Sequence, residues 1–167
     1  MRSTLLALGA VATLASASAA QAATELYSAS MEAAAETPPN KSLGWGQASA
    51  NLDTDTKVLS YNIAYADLTG PASAAHFHLG APGAAGPPTL PITGDLASPI
   101  IGKATLTDAQ IADLRAGKWY VNIHTNANKG GEIRGQVKLL DLSTVYPKGF
   151  GPSSLGFAPG HEGGKTK

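Results

Sequence analysis

The chain has 167 residues, 12 basic and 12 acidic side chains, a formal net charge of zero, four histidines and no cysteine. The charge balance and the lack of any basic run exclude a nucleic-acid or anionic-lipid surface. The missing cysteines exclude disulfides, iron–sulfur clusters and thiolate zinc sites.

The first segment reads as a signal peptide. Arg2 supplies a positive start, "TLLALGAVATLASASAA" is apolar and rich in small residues, and "AQA" or "QAA" offers cleavage after Ala22 or Ala23. A single-span anchor fits less well, because the stretch ends in small residues instead of a basic flank. The expected layout is therefore a signal peptide at 1–23, one folded domain at 24–146 and a Gly/Pro-rich tail at 147–167, in a periplasmic or secreted protein with no membrane contact after cleavage. The tail, "PKGFGPSSLGFAPGHEGGKTK", shows no period and is expected to be mobile.

"ATELYSASMEAAAETPP" reads as a first strand ending before Pro38-Pro39, with Glu25, Tyr27 and Ala29 on one face and Leu26, Ser28 and Ser30 on the other. Its alanine run at 31–36 is also compatible with a helix. "GWGQASANLD" and "KVLSYNIAYADL" form a hairpin across "DTDTK", with Leu59, Tyr61, Ile63 and Tyr65 sharing a face. "NLDTDTK" lacks the glycine and closing glutamate of a calcium loop and is a turn. A turn at Gly70-Pro71 leads into a short strand through His76 and His78, and "APGAAGPPTLPITGD" follows as a loop that can rim it.

"TLTDAQIADLRAGKWY" predicts the one helix. Thr107 is its N-cap, Gln110 completes a capping box, Asp108 suits the helix start, Ile111 and Leu114 form the buried stripe, and Gly117 ends it. "KWYVNIHT" and "EIRGQVKLLDL" are a final hairpin across "NANKGG". Trp45 and Trp119 are expected as core or half-buried anchors. "NKS" at Asn40 fits a glycosylation pattern. Short, evenly spaced strands with one helix predict an all-β fold, a Greek-key or immunoglobulin-like β-sandwich.

Side chains alternate across a strand, so His76 and His78 share a face. If Val121, Ile123, Ile133 and Val137 face the core, then Asn122, His124, Glu132, Arg134 and Gln136 point outward together. Phe77 as a core residue turns His76 and His78 outward too. Alternation does not say that the two sets form one patch.

The blocks "AAHFHLGAPGAAGPPTLPI" and "AGKWYVNIHTNANKGGEIRGQV" resemble the CHRD domain family, named after chordin, which pairs an "AHIH-G" glycine block with a later "YVNxHT…GEIRGQ" block. The stretch "GWGQASANLDTDTKVLSYNIAYADLTG" resembles that family's leading hairpin. The resemblance runs over 24–137. It implies a secreted or periplasmic β-sandwich and little about activity, since fold does not fix function.

Two readings of the polar set stand side by side. In one, His76, His78 and His124 hold a metal, with copper first and iron as the alternative, because three imidazoles with an open position make a catalytic arrangement. By analogy of layout with copper/zinc superoxide dismutases, Arg134 would draw in a small anion such as superoxide. Glu132 and Asn122 would orient the ligands, and His161 in the tail is an extra ligand candidate. In the other reading, the histidines, Glu132 and Arg134 form a cross-strand network that fixes register. The chain would then be an extracellular module holding a protein partner or a second copy of itself. Metal storage or delivery is a third possibility.

Overall fold

The structure, a computed structural model, describes residues 24–141. The expected signal peptide at 1–23, the expected tail from 147 and His161 lie outside the described residues. Among the described residues nine strands occur: β1 (Thr24–Glu32), β2 (Trp45–Asp53), β3 (Val58–Ala66), β4 (Ala72–Leu79), β5 (Pro88–Ile92), β6 (Ile100–Thr105), β7 (Trp119–Thr125), β8 (Ile133–Gln136) and β9 (Lys138–Leu139). One helix, α1 (Asp108–Arg115), lies between β6 and β7.

All strand pairs are antiparallel, in the order β5-β4-β7-β8-β1-β2-β3-β6, with β9 also on β1. The chain crosses between the two halves of this sheet three times, from β3 to β4, from β5 to β6, and from β6 through α1 to β7. The halves face each other over one core, so the fold is the expected all-β architecture with one short helix.

Alternation builds that core. On β2 the inward residues are Gly46, Ala48, Ala50 and Leu52, all buried. Their small side chains leave room for aromatics from across the sandwich. Phe77 of β4 meets Tyr61 of β3 edge-on at 5.4 Å and Trp119 of β7 at 5.9 Å. Trp119 is fully buried, whereas Trp45 is 55% exposed and donates from its indole to Asp67. Trp45 is thus no core anchor: it lies on the outward phase of β2, opposite Ala66.

The helix forms as its sequence demands. Thr107 accepts from the Gln110 backbone, the Gln110 side chain accepts from the Thr107 N–H, and Ile111 and Leu114 are buried. Gly117 has φ +67°, which an L side chain adopts only with strain. The alanine run after β1 makes a single 3-10 turn over Ala33–Ala35.

Three local readings change. The Gly/Pro segment after His78 is a loop only as far as Pro87, because Pro88–Ile92 adds β5 at the sheet edge. An edge strand tolerates proline, whose missing N–H costs nothing on the unpaired side. A further strand, β6, pairs with β3 and carries no histidine or strong alternation to announce it. The final strand is broken at Val137, after which the chain changes partner from β7 to β1.

One end of the sandwich is tied by Glu132, which is fully buried. Its carboxylate accepts from Ser42 Oγ at 2.6 Å, from Thr69 N and Oγ1 at 2.7 Å each, and from Thr125 Oγ1. The Asn40 amide donates to the Gly131 and Glu132 carbonyls in the same knot, so this asparagine is spent on structure and does not present a free glycan acceptor. Burial pushes the Glu132 carboxyl up, but the donors from Ser42, Thr125 and Thr69 outweigh it and bring the pKa down to about 2. The folded value lies below the unfolded one, so the contribution to stability is complete above about pH 4.5 and is lost as pH falls toward 2. Glu132→Gln should cost about 3 kcal/mol at pH 7 in a urea titration, and the gap to wild type should narrow over that acid window.

Candidate metal centre

The site is made by the β4–β7–β8 ladder. Antiparallel register sets His76 opposite Asn122, His78 opposite Tyr120, and Ala74 opposite His124. It then sets Asn122 opposite Arg134 and Tyr120 opposite Gln136. Because Ala74 is small, the His124 ring leans across toward His76. The His76 Nδ1 and His124 Nε2 atoms lie 3.2 Å apart. One ring nitrogen from each of His76, His78 and His124 lies within 4.8 Å of the other two. The two histidine blocks are therefore one cluster.

The proton positions follow from the partners. His78 Nδ1 lies 2.8 Å from the Gly86 carbonyl and His124 Nδ1 lies 3.0 Å from the Lys129 carbonyl. A carbonyl only accepts, so both Nδ1 atoms carry the proton and both Nε2 atoms keep a lone pair. His78 Nε2 is buried and has no hydrogen-bond partner. This is the arrangement that readies an imidazole for a metal: one nitrogen fixed by main chain, the other free to ligate.

The outward face of these strands is not exposed as the alternation pattern alone suggests. Six of the seven β7 residues, all but His124, are buried, so both faces of the strand are covered, and Asn122 and Arg134 are each 2% exposed. Two loops cover them. Segment 80–87 is held from below: Gly86 exchanges bonds with the Tyr120 hydroxyl, Ala84 O accepts from Arg134 Nη2 at 2.8 Å, and Gly80 O accepts from Gln136. Gly86 presses against the Leu79 carbonyl so closely that no Cβ fits, and this approach delivers its own carbonyl to His78. On the other side, Thr37 Oγ1 accepts from Arg134 Nη1 at 3.1 Å. His76 and His124 are only partly buried, and the cluster reaches solvent there.

Each sequence candidate can now be placed. His76, His78 and His124 come together. Asn122 joins them, with Oδ1 3.0 Å from His124 Nε2. Arg134 stacks on the Tyr120 ring at 3.4 Å, and Tyr120 in turn stacks flat on His78 at 4.7 Å. Arg134 thus acts on the cluster through Tyr120 and the two loops. Glu132 does not reach the cluster; its carboxylate is bound in the knot at the end of the sandwich. Glu132 lies in a bend just before β8 begins at Ile133, so the strand alternation used to place it does not extend to it.

Sequence reasoning missed Glu36. It is 6% exposed, sits against Gly131, and has one carboxylate oxygen with no partner. Burial pushes its carboxyl up, opposed by the Thr37 N–H, the Arg134 charge and the Asn122 amide. Nothing in an alanine-rich run marks such a residue; its one signal is an acid directly before Thr37 and two prolines.

The residues of the CHRD domain family match this chain over 27–137, which is most of it. The chain belongs to the CHRD domain family. No curated protein and no solved structure matches it.

His76 is held below the ordinary histidine range by burial and by its neighbours His124 and His78. Burial also lowers His124, opposed by the Lys129 carbonyl and aided by His78. The unfolded chain therefore takes up protons at these positions before the folded one does, and metal-free stability falls as pH drops below about 6.5. His76→Gln should flatten that fall, read as the slope of the urea midpoint against pH.

Proposed function

We propose that this CHRD domain is an exported metal-binding protein that holds one copper ion through His76, His78 and His124. The observation that carries the reading is the convergence of three ring nitrogens in which two Nδ1 atoms are tied to carbonyls and His78 Nε2 is buried without a partner. A buried polar atom left unpaired costs about 1–3 kcal/mol, and a metal ion removes that cost. Copper is preferred to iron because the cluster is all imidazole with no carboxylate, and divalent copper heads the affinity order for nitrogen ligands.

Export rests on the sequence of the first segment; among the described residues no helix is long and apolar enough to cross a membrane. The partly buried side between His76 and His124 is the route by which a small anion such as superoxide would approach. A copper ion there would supply dismutation, with one superoxide oxidised and another reduced. The chain's own part is to keep His76 and His124 reachable and to keep His78 dry under the 80–87 loop. In this reading Arg134 steadies Tyr120 and the loop instead of drawing the anion in, since its guanidinium is 2% exposed.

The test is metal analysis of protein purified without a metal-binding tag, followed by calorimetric titration with Cu(II). One copper per chain is expected. His78→Ala should weaken binding by at least about 100-fold. Loss of superoxide turnover in the same variant would add the activity to the binding; bound copper without turnover would make the protein a carrier. A wild-type chain that neither contains nor takes up copper or iron removes the reading and leaves an extracellular binding module.

A further inference from the structure

We propose that the Asn122 side-chain oxygen is a fourth ligand of the ion, and that Glu36 is the positioning residue that keeps this oxygen turned toward the histidines. The inference rests on the three-histidine reading and goes beyond it by closing the ligand set.

The geometry begins at His124. Its Nδ1 proton is committed to the Lys129 carbonyl, so a neutral ring presents only a lone pair at Nε2. Yet Asn122 Oδ1, which also presents only lone pairs, stands 3.0 Å from that nitrogen. Two acceptors at this distance repel unless something positive lies between them or beside both. His76 Nδ1 stands 3.2 Å from the same nitrogen. Cis ligand atoms about 2.0–2.1 Å from one ion are about 2.8–3.0 Å apart in tetragonal geometry and about 3.4 Å in tetrahedral geometry, so both separations suit atoms that share one ion.

An asparagine normally escapes such a conflict by turning its amide over, so that its NH₂ group faces the lone pair. Here the turn is blocked. The NH₂ end of the amide faces the buried Glu36 carboxylate and, with the Arg134 charge, favours its ionised form. If the amide turned, the oxygen would face a carboxylate and a further buried acceptor would be unpaired. Gly131 provides the space, because the Glu36 carboxylate fills the place where its Cβ would be. The Asn122 backbone is fixed as well, between His76 on one neighbouring strand and Arg134 on the other. A carboxylate thus orients an amide, and the amide presents its oxygen to the histidines. In metal sites such outer partners are typically worth about 10- to 100-fold in affinity.

The experiment uses Cu(II) alone as probe, with electron paramagnetic resonance and calorimetry on the wild type, Asn122→Ala, Glu36→Leu and Glu36→Gln. Asn122→Ala should still bind one Cu(II), about 10- to 100-fold more weakly, with an altered spectrum. Glu36→Leu frees the amide to turn and should shift the spectrum in the same direction, although position 36 touches no metal. Glu36→Gln keeps an acceptor oxygen for the amide and should stay near the wild-type spectrum. A purely structural role for Glu36 would lower the melting temperature without moving the spectrum. Because these variants can fail to fold, the wild type is also labelled with ¹³C at the asparagine side-chain carbonyl. Hyperfine coupling of that carbon to bound Cu(II) is expected, and its absence overturns the proposal even while copper is bound. An unchanged Asn122→Ala spectrum and affinity overturns it in the same way. A wild type that takes up no Cu(II) fails earlier and takes the three-histidine reading with it.

Discussion

The antiparallel pairing of β4 with β7 is the constraint on which everything else in this molecule depends. Its register does two jobs at once. On the inner face it brings Phe77 and Trp119 together and completes the core against Tyr61. On the outer face it brings His76, His78 and His124 into one group. A one-residue slip would turn each strand over, placing imidazoles in the apolar core and phenyl and indole rings under the loops. The core therefore enforces the site: the apolar burial that selects this register selects the histidine cluster with it.

The outer face is a second, polar core. Arg134, Asn122, Tyr120 and His78 are buried there, and nearly every polar group finds a partner in loop main chain. Burying a guanidinium is costly, and hydrogen bonds to Ala84 and Thr37 together with the Tyr120 ring offset that cost. The loops gain order from the same bonds, which is how a Gly/Pro-rich segment is held over a site. Against this background the two exceptions near the cluster, His78 Nε2 and a Glu36 oxygen, stand out. The first is a free lone pair within the histidine cluster, and the second belongs to the buried carboxylate beside Asn122 and Arg134.

Much of this was legible in the sequence because it rests on periods. Alternation in "SYNIAY" and "YVNIHT" gave the correct faces, and Thr107 with Gln110 gave the helix start. Phase, however, is not exposure. The side chains predicted to face outward do lie on the outer phase, but loops from distant positions cover them, and no local pattern encodes that contact. The adjacency of the two histidine strands also escaped, since it depends on β4 and β7 meeting after a long excursion through β5, β6 and α1. Glu132 was misplaced because it lies in a bend before β8, where strand alternation does not yet apply. Glu36 was invisible because its meaning comes from Gly131, Asn122 and Arg134, all far along the chain. β5 hid behind its prolines, which only an edge strand accommodates.

The central claim is that the register of β4 and β7 has built a single metal site from three histidines. The most direct measurement is an anomalous diffraction map, at the copper edge, from crystals of the protein soaked with Cu(II). One peak within bonding distance of His76, His78 and His124 is the predicted result. No peak at the cluster, or copper bound only elsewhere on the surface, would contradict it.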